Sequence, residues 1–320
     1  MKKGLKNLAI ASMVGVASLG LMTGCEMGDD EAYIKVKGLD TGYMVGETID
    51  LENAKILYYS NKKDKTADEI KLNENMVANF NTETAGDKTM KVFFNGCELE
   101  IEYTVKSTTD FIYIFNKAYD NLLNAPHTHA ETAFVEDGVE SARAFINVQN
   151  NKYYSTYGDA EEYASGTVEK EWIEKSNNTW FAYLDERGDK SRCDYSDNIV
   201  EGNVMSYVAP GVLSVEKLTN DFITECGAVL AIDFDGNKTV LKFNMVFEEE
   251  YEGETYAERI NVTYVIENEK FISMKYIEDT DTPDSVDEEI TVQISYNIED
   301  VEMEALPSDA HSWELQEYLG

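Results

Sequence analysis

The chain is predicted to be mainly β: a β-sandwich followed by an α+β domain in which a long curved antiparallel sheet packs on an N-terminal helix. Three observations carry this expectation. Between residues 32 and 106 short apolar/polar alternations are cut by frequent turns, as in a two-sheet sandwich. Residues 111–123 repeat apolar side chains at helical spacing. From residue 132 to residue 296 a period of two returns in run after run, separated by turn residues.

The chain opens on a basic head with Lys2, Lys3 and Lys6, then an apolar run over residues 8–22. That run is shorter than the ~20 residues that cross a bilayer. Small residues then lead to Cys25, so residues 1–24 read as a secretory signal peptide. The sequence Met22-Thr23-Gly24-Cys25 resembles the lipobox of bacterial lipoproteins. The resemblance implies cleavage before Cys25 and lipid, such as palmitate, on its sulfur and new amino group. It also implies residence at the extracellular face of a Gram-positive-type cell membrane. An ordinary signal peptide with an incidental cysteine is the competing reading. Residues 25–31 form a short acidic tether.

The length of 320 residues suits two domains, and 43% hydrophobic residues suffice for cores. Acids outnumber bases 62 to 27, a net charge of −35. Loss of the signal peptide removes three lysines and no acid, so the processed chain is more acidic still. Such a surface repels nucleic acid and anionic headgroups, since phosphate binding needs Lys and Arg. Attraction of cations, or solubility alone, remains. With Cys25 lipidated, Cys97, Cys193 and Cys226 are left, and three cannot all pair. A Cys193–Cys226 disulfide and unpaired buried thiols are both open.

In residues 32–106, Tyr33-Ile34-Lys35-Val36 begins an alternation. Runs at 49–51 and 54–59 follow, broken by Gly46 and by Ser60-Asn61-Lys62-Lys63-Asp64. Residues 89–94 and 99–105 form the clearest pair, joined by Asn95-Gly96, which tolerates the positive φ of a tight hairpin. The segments Tyr43-Met44-Val45-Gly46-Glu47-Thr48-Ile49-Asp50-Leu51, Met76-Val77, Phe80-Asn81-Thr82 and Ala85-Gly86-Asp87-Lys88-Thr89 resemble the third family of bacterial Ig-like domains. That resemblance implies a surface spacer or adhesion module without catalytic residues.

Residues 107–306 begin with Ser107 and Asp110, spaced as a helix N-terminus. Phe111, Ile112, Ile114, Phe115, Ala118, Tyr119, Leu122 and Leu123 then form a wide apolar stripe that ends before Pro126. Strands are expected at 132–135, 144–148, 152–157, 167–173 and 179–184. The signal weakens over 191–220, where a short helix is expected at 212–218, after Pro210-Gly211. Alternation resumes with Leu241, Phe243, Met245 and Phe247; Ile260, Val262, Tyr264 and Ile266; Ile272, Met274 and Tyr276; Ile290, Val292, Ile294 and Tyr296. A helix lying on one apolar face of this meander is the economical arrangement. A helix followed by a long meander on a lipoprotein resembles the half-barrel of the LolA-like and LppX-like lipoprotein carriers. The resemblance implies a space for acyl chains between sheet and helix, and it carries over no functional residue. Residues 307–320 read as a C-terminal tail.

No nucleophile elbow, zinc-protease helix or phosphate loop occurs, so no enzyme, cofactor or metal site is predicted. His127-Thr128-His129, with Glu131 or Glu136, reads either as metal ligands or as an exposed loop after the helix. His311 stands alone in the tail. Asp233-Phe234-Asp235-Gly236-Asn237 departs from calcium-loop spacing and suits a hairpin turn. The acidic run with Glu278, Asp279, Asp281, Asp284, Asp287, Glu288 and Glu289 suits weak calcium binding or a solvated loop. Trp172, Trp180, Tyr153, Tyr154, Phe243, Met245 and Phe247, facing Phe111 and Phe115 of the helix, either line a hydrophobic pocket or pack as core. The expected function is a non-enzymatic anchored lipoprotein binding an apolar or amphiphilic ligand. The alternative is a surface adhesion or structural protein that meets wall polymer or a protein partner. Replacing Cys25→Ser should release the chain from membranes and abolish labelling by radioactive palmitate; unchanged membrane retention would contradict the anchor.

Overall fold

A computed structural model describes residues 31–251, 254–280, 287–297 and 303–316. Cys25 and the segments read as signal peptide and tether, up to residue 30, lie outside the described residues, as do Asp281 and Asp284 of the acidic run. The chain is mainly β and divides into two compact units, with the break between Val105 and Lys106; residues 234–236 group with the first.

The first unit is a β-sandwich. Strands β1 (Tyr33–Lys37), β3 (Lys55–Tyr59) and β4 (Asp68–Lys71) make one sheet. Strands β2 (Gly42–Met44), β7 (Cys97–Lys106), β6 (Gly86–Phe94) and β5 (Val77–Ala78) make the other. Alternation buries one face of each: Ile34, Val36 and Ile56 from the first sheet meet Met90, Val92, Ile101, Tyr103 and Val105 from the second. Asn95 and Gly96 both take positive φ, 49° and 81°, at the tip of the β6–β7 hairpin. Tyr43, Phe80 and Tyr103 pack as an aromatic trio, and the buried Tyr103 hydroxyl donates to the Asn81 carbonyl at 3.0 Å while accepting from its amide at 2.8 Å.

The second unit opens with α1 (Thr108–Leu123), whose Ser107–Asp110 capping box satisfies two amide groups of the first turn. Ten strands and three short helices then follow in order: β8 (His127–Glu136), β9 (Val139–Gln149), β10 (Lys152–Gly158), α2 (Ala160–Ser165), β11 (Glu169–Ser176), β12 (Thr179–Glu186), β13 (Asp189–Asp194), α3 (Met205–Leu213), α4 (Asn220–Glu225), β14 (Val229–Asp235), β15 (Lys238–Tyr251), β16 (Glu254–Glu267) and β17 (Lys270–Thr280). Two more, β18 (Glu288–Tyr296) and β19 (Glu314–Gln316), complete one twelve-stranded sheet in the order β14-β15-β16-β17-β18-β8-β9-β10-β11-β12-β13-β19. The long meander is thus cut in two in sequence, and β18 returns to pair with β8 antiparallel.

Register fixes which side chains share a face, because a one-residue slip would invert them all. Phe243 pairs with Val262, Val262 with Tyr276, Tyr276 with Ile290 and Ile290 with Phe134. Further round, Tyr296 pairs with Thr128, Thr128 with Val148, Val148 with Tyr153, Tyr153 with Ile173, Ile173 with Ala182 and Ala182 with Cys193. This inner face receives the helices. Phe111, Phe115, Ala118 and Leu122 of α1 are fully buried, and the Phe115 ring meets Tyr264 and Phe271 edge-on at 5.0 Å each. The Tyr264 hydroxyl donates to the Leu213 carbonyl at the end of α3. Asn116 of α1 holds the next segment through two bonds of 2.9 Å to the Leu218 backbone.

Three expectations are corrected and one open alternative, the cysteine pairing, is decided. The His127–His129 segment is not a loop: both residues sit on β8, since Pro126 stops α1 and the strand starts directly after it. The helix expected at 212–218 lies earlier, at Met205–Leu213, and contains Pro210. Reading Pro210 as an entry point fails because the backbone is already helical from Val204, with the Asn203 side chain just before it accepting from the Met205 amide at 3.0 Å. The tail does not hang free. Ala310 and Trp313 are buried on the outer face against Tyr154, Trp172 and Tyr183, and β19 adds to β13 in parallel. Cys193 and Cys226 are free thiols: Cys193 is buried on the inner face of β13, whereas Cys226 ends α4. Phe115→Ala should lower unfolding free energy by about 3–5 kcal/mol in urea titration, through lost burial and an unfilled void; a change below ~1 kcal/mol would contradict the helix–sheet contact described here.

Candidate functional site

An apolar cavity of about 200 Å³ lies between the α3–α4 segment and the inner face of β15–β17. Its floor is Phe243, Met245, Ile260, Val262, Tyr264 and Tyr276, and its roof is Ser214, Val215, Leu218 and Phe222. The sequence builds the roof through turn chemistry. Ser214 ends α3 in left-handed conformation, φ 57°, and Thr219 caps α4 through the Phe222 amide at 3.1 Å. Between those caps the chain crosses the sheet with Leu218 buried and the Phe222 ring stacked on Phe243 at 6.0 Å.

The predicted pocket residues divide. Phe243 and Met245 line the cavity. Phe111 packs beside Phe243, at 6.3 Å between ring centres, and Phe115 lies in solid core against Tyr264 and Phe271. Phe247 is the next inner-face residue along β15 after Met245 and is half-buried. Trp172 and Trp180 do not join the site, nor each other. Trp172 pairs with Tyr183 whereas Trp180 pairs with Lys175, two residues beyond Ile173, so the two indoles point to opposite faces. Trp172 is held on the outer face, where its indole donates to the Glu304 carbonyl at 3.1 Å.

The outer face also carries a recess of about 410 Å³ between the sheet and the C-terminal segment, where Trp172, Met303, Leu306 and Pro307 alternate with Lys152, Glu174 and Glu304. Lys152 pairs with Glu174 at 2.8 Å and Lys170 with Glu304 at 2.9 Å. The Tyr154 hydroxyl donates to Glu304, and Tyr183 hydrogen-bonds His311 Nδ1 at 2.8 Å. His129 lies on the same face with both ring nitrogens engaged, by Asn147 at 2.7 Å and Glu131 at 3.2 Å. Among the described residues no group of three or more His, Cys, Asp or Glu side chains is placed to hold a metal ion.

Two features of the inner face are unexpected. The Tyr276 hydroxyl, at the cavity wall, donates to Glu278 Oε2 at 2.6 Å; enclosure and the neighbouring carboxylates raise its pKa, so the phenol stays protonated. Glu171 stands between Ser155 and Leu184 on the inner face, enclosed by protein, and burial pushes its pKa up to about 7. Sequence reasoning missed the roof residues because no clear period runs through 191–220. It missed Glu171 because a glutamate within Glu169-Lys170-Glu171 reads as solvated.

No family model matches this chain, and no curated protein matches it.

An acid whose folded pKa exceeds its unfolded value keeps a proton in the folded chain that unfolding releases. For Glu171 the two values are about 7 and its ordinary 4.5, so its penalty is absent below pH 4.5 and complete above pH 7. Unfolding free energy should therefore fall across that window, and Glu171→Gln should remove on the order of 2 kcal/mol of the fall. Denaturant titrations at pH 5 and pH 8 measure this; identical pH profiles for wild type and variant would contradict it.

Proposed function

We propose that this chain is an anchored extracellular lipoprotein without enzymatic activity, whose second unit binds an apolar or amphiphilic small molecule in the cavity under Leu218 and Phe222. In this reading Cys25 carries the lipid, and the first unit is a bacterial Ig-like spacer. The observation that supports ligand binding is the cavity itself, walled by Phe243, Met245, Ile260 and Val262 where a packed core would leave no such space. Affinity comes from removing ligand surface from water: each 100 Å² of apolar area buried contributes about 2.5 kcal/mol. Tyr276 offers one polar contact at the mouth.

Binding of wall polymer or a protein partner is the weaker reading. The exposed large apolar residues, among them Val45, Tyr113, Val139, Val200 and Val246, fall on separate elements of the chain. Among the described residues no helix is long and apolar enough to cross a membrane.

Native mass spectrometry of the purified chain with added octanol tests the reading. Wild type should show bound octanol, and Met245→Trp, which fills the cavity, should reduce binding at least about tenfold, the equivalent of ~1.4 kcal/mol. Equal binding by both proteins would overturn the assignment of the site.

A further inference from the structure

The charge around the cavity narrows the class of ligand; this step rests on the reading that the cavity takes an apolar group. Alternation puts Glu258, Glu278 and Glu288 on the same inner face as the lining residues. Each stands one step beyond an apolar neighbour: Glu258 beyond Ile260, Glu278 beyond Tyr276, Glu288 beyond Ile290. Such a step spans about 7 Å. Glu136 continues the row, opposite Glu288 on β8. Glu278 is tied to the cavity wall directly, as acceptor of the Tyr276 hydroxyl.

The bases of the same strands are segregated from this row. Lys238, Lys242, Arg259 and Lys275 occupy the alternate positions in β15–β17, and so face outward, whereas Lys270, at the opposite end of β17 from Glu278, lies over the Tyr296 ring at 4.9 Å. There Arg259 pairs with Asp279 at 3.7 Å and Lys275 with Glu289 at 2.8 Å. On the roof, Lys217 is engaged by Asp120 of α1 at 2.5 Å. Lys270 apart, no Lys or Arg among the described residues of β15–β18 and β8 shares the face of the four glutamates.

The cavity, about 200 Å³, is smaller than the roughly 300–1,000 Å³ of sites that enclose whole ligands. A bound molecule therefore keeps only a short apolar segment inside, and its remainder lies over the acidic edge. A carboxylate or phosphate there meets like charge, whereas an ammonium group meets opposite charge and the face of Tyr276. We infer that the ligand is a cationic amphiphile: a small aliphatic ammonium whose chain enters between Leu218 and Phe243 and whose charge rests against Glu258, Glu278 and Glu288.

Isothermal titration calorimetry of the full chain with three probes of one chain length tests this: octyltrimethylammonium, octanol and octanoate. At low ionic strength the ammonium should bind about tenfold more tightly than octanoate, with octanol between them. At 0.5 M sodium chloride the ratio should shrink to about twofold. Glu278→Gln should narrow the low-salt ratio severalfold. If octanol and octanoate bind as tightly as the ammonium, the charge assignment is wrong while the cavity reading stands. If none of the three binds, the cavity reading fails and this inference falls with it.

Discussion

One mismatch of widths governs the second unit. Twelve strands spaced ~4.8 Å apart give an inner face about 50 Å across. The principal helix laid on it, α1, has 16 residues and is therefore about 24 Å long and ~10 Å wide. It cannot cover that face. Its aromatic stripe covers β16 and β17 near the turn that joins them, where Phe115 meets Tyr264 and Phe271. The flanks need other cover. On one side Tyr207 of α3 packs on Tyr153, edge-on at 6.2 Å. Further along β15–β17, away from the β16–β17 turn, cover comes from the α3–α4 crossing through Ser214, Val215, Leu218 and Phe222. The cavity is what this thinner roof leaves open.

The two faces of the sheet solve their coverage differently. The inner face is covered chiefly by apolar helices. The outer face is covered over β10–β13 by the C-terminal segment, which combines Trp313 and Ala310 with polar ties from Glu304 and His311. Lys190 and Arg192 lie over the rings of Trp313 and Phe181, at 5.1 and 5.3 Å. The space left on the inner side is thus lined by apolar side chains, whereas the outer recess mixes apolar and charged ones.

Much of this was legible in the sequence because the signals were periodic. Ser107 and Asp110, followed by the spacing of Phe111, Phe115, Ala118 and Leu122, set out α1 and its buried face. Leu241, Phe243 and Met245, with Ile260, Val262 and Tyr264, showed which residues of β15 and β16 share a side. What could not be read is long-range. Nothing local tells that β18 pairs with β8, some 150 residues away, or that the last residues return as β19. Trp172 and Trp180 show the same limit: eight residues apart in sequence they match one helical or strand face equally well, and only the register across the β11–β12 hairpin sets them on opposite sides. The roof fell between clear periods, where capping by Ser214 and Thr219 rather than hydrophobic repetition sets the path.

The proposed binding requires a specific patch of one face to be open to an apolar guest. Methyl-resolved NMR of the chain, titrated with octanol below its solubility limit, reads that patch directly. The account predicts saturable shifts at Met245, Ile260, Val262 and Leu218, with Ile173, Ala182 and Ile294 on the covered part of the same face unmoved. Shifts absent from the first group, or spread evenly through both, would contradict it.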